Sequence, residues 1–192
     1  MYVADVPEFN GRPLEFRQLW VNGRKADRAR DVADFEKMYR IRNIDKKNEI
    51  LYVPTAAVKK ILGERHAEMV IHEMWCVANL RIKGIKVQGD SAAVTFHQPE
   101  SHIHFMHPWP SPMVTKDGHN SAFYLTNAKS LLDTPGEWYL DAKEQKVYYI
   151  PRKGEDMAKA DVEAPAVETL MKIVWSPLGR IIFGRTLNSA FY

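Results

Sequence analysis

Turn signals recur in this chain roughly every eight to twelve residues, and no other property constrains its fold as tightly. The strongest is Asn22-Gly23, because both central residues of a type I′ hairpin turn need positive φ. Phe16 to Val21 and Arg24 to Ala29 are therefore expected to be its two arms. Asp45 to Asn48, Gly89-Asp90 and Pro135-Gly136 mark further reversals. Between them lie short apolar runs, such as Met69 to Val77 and Ala92 to Phe96, that read as core strands. Leu80 and Ile82 fall out of phase with Ile85 and Val87 across Gly84, which predicts a β-bulge there. Helical signals are brief. Asp34 to Tyr39 reads as a helical turn, Pro54-Thr55 opens a two-turn helix capped by Thr55, and Thr126 is expected to cap another over Asn127 to Leu132. No internal repeat supplies the stacked coils of a free-standing parallel β-helix. The fold class expected is mainly β: an antiparallel β-sandwich with one or two short helices.

Composition removes several functions. The 27 basic residues are offset by 24 acidic ones and are scattered, leaving a net charge of +3, so a nucleic-acid partner is not expected. No run approaches the roughly 20 apolar residues of a membrane span. Cys76 is the single cysteine, which rules out an internal disulfide and any multi-cysteine zinc site. Its neighbours Trp75 and Val77 favour a buried, inert thiol. The amino terminus, MYVADVPEFNGRP, lacks the basic and then apolar regions of a signal peptide.

Residues 121–157 carry the most local information. After Pro135-Gly136, Trp138 to Leu140 and Val147 to Ile150 form a second hairpin signature around the polar loop Asp141 to Lys146, and Pro151 ends it. The segments NAKSLLDTPGEWYLD (127–141) and KVYYIPRKGEDM (146–157) resemble part of a group of bacterial right-handed parallel β-helix (pectin-lyase-like) glycoside hydrolases of the α-L-fucosidase and xylanase type. FRQLWVNGRKADRAR (16–30) resembles a second block of the same proteins, next to an inserted β-sandwich region.

The resemblance implies a secreted or periplasmic family, a polysaccharide or oligosaccharide partner, and flanking β-helix strands. It also implies that the catalytic carboxylates lie downstream of residue 192, so the chain is expected to be a non-catalytic fragment. It would brace the β-helix and contact polysaccharide. Residues 1–174 are expected to form one sandwich-like domain with β-helix-edge strands at both ends, Val167 to Val174 returning to the helix. Residues 175–192 form a tail off the family pattern. Oligomeric state has no signature.

Three sets of residues carry candidate chemistry. Trp109, between two prolines, is the best candidate for an exposed ring against a sugar face; Tyr148 and Tyr149 point to opposite sides of a strand, so one of them is expected outward. Trp20 and Trp75 read as core. His102, His104 and His107 follow one another in HQPESHIHFMH; the first two would share one face of a strand, and imidazoles so spaced converge on a transition metal. The bland alternative is a proline-rich loop with ordinary contacts, and no cofactor is expected. Glu137, Asp141, Glu155 and Asp156 sit in turn contexts, where capping competes with glycosidase chemistry. Two rivals to the carbohydrate module remain: a small metal-binding protein or enzyme built on the three histidines, and a protein-interaction module using Trp109 and the basic arm Arg24, Lys25, Arg28 and Arg30.

Overall fold

Asn22 and Gly23 both take positive φ, 51° and 70°, and the arms they join pair as Leu19–Val21 with Arg24–Arg28. The computed structural model describes residues 1–166 and, beyond them, only the backbone of strands Lys172–Trp175 and Ile181–Gly184, which pair antiparallel. The expected β-helix return over 167–174 and the tail 175–192 otherwise lie outside the described residues.

Two sheets make the sandwich. The first runs, in spatial order, Tyr2–Asp5, Lys146–Tyr149, Glu137–Asp141, Arg24–Arg28, Leu19–Val21 and Val162–Glu163. Its pairings are antiparallel except between Glu137–Asp141 and Arg24–Arg28, which run parallel. The second runs Tyr39–Arg40, Ala122–Thr126, Glu68–His72, Val77–Gln88, Ser91–Phe96, Ile50–Pro54 and Asn43–Asp45, all antiparallel. The register of Val77–Gln88 against Ser91–Phe96 slips between Ile82 and Gly84, the bulge read from the phase change.

Apolar alternation places two cores. Leu51, Val53, Met69, Ile71, Leu80, Val94, Phe123 and Leu125 line one face of the seven-stranded sheet. Ala57, Val58, Ile61 and Leu131 from short helical turns, together with Tyr139 of the other sheet, cover it. The opposite face of the six-stranded sheet carries Leu19, Val21, Trp138, Leu140 and Tyr149, closed over by Val6, Phe16 and the partly buried Met157 and Ala160.

The helical caps differ from expectation because neither threonine stands at a cap position: Pro54 and Ala128 precede the two segments. The Thr55 hydroxyl donates to the Gly89 carbonyl, and the helix Thr55–Val58 has no side-chain cap. Thr126 is the last residue of its strand and donates to the Ala29 carbonyl at 2.8 Å; the turn beyond it is only the 3₁₀ segment Lys129–Leu131.

One strand joins the sheets. Beyond Arg28 the backbone stays extended: Ala29 N–H donates to the Trp138 carbonyl in the first sheet, and the Ala29 carbonyl accepts from Asn127 N–H beside the second. Asp31 then exchanges bonds with Leu125. Beneath this crossing Glu68, 3% exposed, receives Arg28 at 3.0 Å and Arg17, while Arg28 Nε also donates to Asn127. Desolvation holds the Arg28 guanidinium below its ordinary pKa, against the pull of Glu68.

A second polar knot closes the 137–155 hairpin. Gly136 has φ +94°, and a Cβ there would meet Arg152 Nε at 2.8 Å. The glycine lets Arg152 lie across it and donate to the Lys25 carbonyl, the Tyr149 hydroxyl and Glu155. Burial raises the pKa of Glu155, but the Tyr149 hydroxyl and the Arg152 amide and guanidinium outweigh it and hold the carboxyl below the ordinary range.

Three outcomes test these contacts by urea unfolding. Glu68→Gln leaves two guanidiniums around a neutral amide and should cost about 3 kcal/mol, at the low end for a broken buried pair because Arg17 reaches solvent. Gly154→Ala, at φ +85° in open space, should cost about 1 kcal/mol of backbone strain; Gly136→Ala should cost measurably more, because Arg152 must also move. Glu155 is more acidic folded than unfolded, so its stabilisation is complete above the ordinary carboxylate range and is lost as pH falls through the depressed value. The stability gap between wild type and Glu155→Gln should therefore shrink in acid, and a gap unchanged at low pH would refute that role.

Candidate functional site

The run from Met69 to Val77 is not one strand. It breaks after His72, and Glu73 to Cys76 form the turn before Val77–Gln88, with Glu73 N–H donating to the Cys76 carbonyl. The turn lifts Met74 and Trp75 out of the sheet, so Trp75, expected in the core, is 60% exposed. A carboxylate interrupting an otherwise apolar run was the available signal.

Glu100–Met106 is an α-helix, whereas sequence spacing placed His102 and His104 on a strand face or in a loop. The prolines are its punctuation: Pro99 stands at its start and Pro108 follows its end. Ser101 and Phe105, four apart, are the buried positions. Glu49 fastens the first turn, accepting from Gln98 and Ser101 at 2.6 Å each and meeting His102 Nδ1 at 2.9 Å. These partners lower the pKa of Glu49, the Ser101 hydroxyl most. Arg81 pairs with Glu100.

The three histidines diverge. His102 faces Glu49, and His107 is exposed beyond the helix. His104 Nε2 lies 2.7 Å from the fully buried carboxylate of Glu73, without the alignment of a hydrogen bond. Among the described residues no three His, Cys, Asp or Glu side chains gather as metal ligands. Cys76 also reports to Glu73: its thiol donates to Oε2 at 3.1 Å, and that bond, with burial, pushes its pKa up to about 11. The thiol is half-buried rather than buried, because Trp75 and Val77 beside it are exposed, and Glu73 rather than an apolar surround favours its protonated form.

The helix and the Glu73–Cys76 turn together present an aromatic platform. Trp109, 48% exposed, meets Trp75 edge to face, and Met74, Val77, Ile103 and Met106 are exposed around them. Isolated apolar side chains are ordinary on a protein surface; several in one turn and one helix, with two rings in contact, make this the candidate binding face. The platform leads into a pocket of about 430 Å³ beside Met74, lined by Phe35, Arg40, His72 and Asn120. The Arg40 guanidinium lies 4.7 Å from the Phe35 ring centre.

Tyr148 and Tyr149 do point to opposite faces, yet both faces are covered. Tyr149 is 5% exposed and donates its hydroxyl to Glu155; Tyr148 is half-buried between Tyr139 and the Lys129 ammonium. Neither offers an open ring. Sequence alone missed this because the six-stranded sheet has a core on each side.

The four carboxylates of the hairpin region serve turns. Glu137 accepts from the Asp133 and Thr134 amides, Asp141 from those of Lys143 and Glu144, and Asp156 from that of Ala158. Glu155 is held by Arg152 and Tyr149. Burial raises the pKa of Glu137.

At the other end of the Glu68–His72 strand lies a cleft of about 850 Å³ between the sheets, with Arg17, Arg28, Arg65, Arg81 and Glu68 in its walls. Of these only Arg28, in the basic hairpin arm, was singled out by sequence.

No curated protein matches the chain. A solved structure named "Glycoside hydrolase" is similar to it, with 64% identity and a TM-score of 0.83 over 87% of this chain. The chain spans 29% of that protein's length. The GH141 insertion domain matches residues 1–152. With the sandwich, its capped carboxylates and its exposed aromatic face in view, the chain belongs to the GH141 insertion-domain family.

Proposed function

We propose that this chain is a non-catalytic β-sandwich module of a carbohydrate-active glycoside hydrolase and that its Trp75–Trp109 platform lies against polysaccharide. The observation that carries this reading is the exposed indole pair on the rim of the seven-stranded sheet. Sugar C–H faces pack on such rings, while hydroxyls need polar groups close by. Asn120 and Arg40 in the adjoining pocket offer them. The non-catalytic part is supported by the turn-bound state of Glu137, Asp141, Glu155 and Asp156, since glycosidic hydrolysis needs two carboxyl groups facing one another across an open site.

In the parent protein the module would brace a parallel β-helix body of the α-L-fucosidase or xylanase type, which carries the hydrolytic carboxylates. A polysaccharide substrate implies a secreted or periplasmic setting. Among the described residues no helix is long and apolar enough to cross a membrane.

Calorimetry with xylan-derived, fucosylated and pectic oligosaccharides tests the reading. Trp75→Ala and Trp109→Ala should each weaken binding about tenfold or more, equivalent to about 1.4 kcal/mol per ring, with the thermal unfolding midpoint nearly unchanged. Full affinity in both variants would assign the platform to protein contact instead. Hydrolysis of any of these glycans by the purified chain would overturn the non-catalytic assignment.

A further inference from the structure

The cleft at the far end of the Glu68–His72 strand differs in character from the platform. Arg17, Arg28, Arg65 and Arg81 line it, against Glu15 and Glu68. One carboxylate, Glu68, serves both Arg17 and Arg28. Arg81 is engaged by Glu100, and Arg65 has no ion-pair partner among the described residues. Counting Glu100 as well, four guanidiniums meet three carboxylates among the described residues, an excess of positive charge there. Burial lowers the Arg28 pKa, and the neighbouring Arg17 lowers it further, as expected where cations are crowded.

Ile82 and Leu140 add apolar wall. His66 also lines the cleft, and its buried Nε2 has no hydrogen-bond partner. At about 850 Å³ the space falls within the range of small-ligand sites.

We propose that this cleft is a binding site for an acidic sugar, in which Arg65 and Arg17 hold the carboxylate of a uronate residue. A guanidinium presents a planar pair of N–H donors that matches the two oxygens of a carboxylate. Arg65, with no ion-pair partner among the described residues, suits that role. Arg17 is half-exposed and shares its present partner, so it can turn to an incoming carboxylate while Arg28 keeps Glu68 neutralised. A neutral sugar has no group that answers this charge. The proposal rests on the glycoside hydrolase reading for the class of ligand, but it uses residues separate from the aromatic platform.

The test is calorimetric titration of the 192-residue chain with trigalacturonate, with its fully methyl-esterified form, and with inorganic sulfate. Trigalacturonate should bind at least about tenfold more tightly than the ester, because esterification removes the charge and keeps the sugar. Arg65→Ala and Arg17→Ala should each reduce that preference severalfold, with the circular dichroism spectrum unchanged. Trp75→Ala and Trp109→Ala should leave the ratio of acid to ester affinity intact even where they lower both. Failure of the platform reading would thus appear as tryptophan variants without effect. Failure of this one would appear as equal affinity for acid and ester, or as an Arg65→Ala variant with full preference. Sulfate binding as tight as that of trigalacturonate would make the cleft a general anion site and overturn its assignment to sugars.

Discussion

A sandwich of two sheets needs something that fixes one against the other, and here it is a strand that belongs to both. The backbone from Arg24 to Asp31 pairs with Trp138 on one side and with Leu125 and Asn127 on the other. Polar backbone groups at such a crossing need partners, and those of Ala29 find them in Trp138 and Asn127, one on each side. The Glu68 carboxylate beneath it draws Arg28 from the crossing strand and Arg17 from the segment before the hairpin. Buried charge of this kind adds little net stability over apolar packing, but it is costly to break, and it therefore fixes the relative position of the elements it joins. The arginine cleft and the aromatic rim take their positions from this junction, because both lie at ends of the strand that begins with Glu68.

Much of this architecture is legible in the sequence, because turn chemistry is local. Asn22-Gly23, Gly89-Asp90 and Pro135-Gly136 require backbone conformations that few residues supply, and each stands where the chain reverses. The phase slip at Gly84 is likewise a local signal, and the bulge follows. What eludes sequence is set by distant partners. Thr55 and Thr126 have the chemistry of helix caps, yet packing starts the helix at Thr55 itself and keeps Thr126 in its strand, where their hydroxyls donate to Gly89 and Ala29. Tyr148 and Tyr149 alternate as read, but only the two cores, one on each face of the six-stranded sheet, determine that both are covered.

The candidate site was legible in part. Trp109 stands out between its prolines and is exposed, whereas its companion Trp75 hides in an apolar run that reads as core. The histidines illustrate the opposite error. Their spacing resembles a ligand set on a strand, but a helix places His102 against Glu49 and His104 against Glu73, so the imidazoles face separate carboxylates. Arg17, Arg65 and Arg81 come from three separate segments, and nothing in their local sequence announces that they share a cleft. The two ends of the strand differ physically: exposed aromatic rings stand at one, and a cleft lined by arginines at the other.

Nuclear magnetic resonance of the tryptophan indole N–H groups during titration with oligosaccharide tests the central claim most directly. Trp75 and Trp109 report on the platform, and Trp138, fully buried beside Phe16, serves as the internal reference. The expected result is progressive, saturable displacement of the Trp75 and Trp109 signals with Trp138 fixed. Saturable glycan binding with both platform signals unmoved would contradict the account.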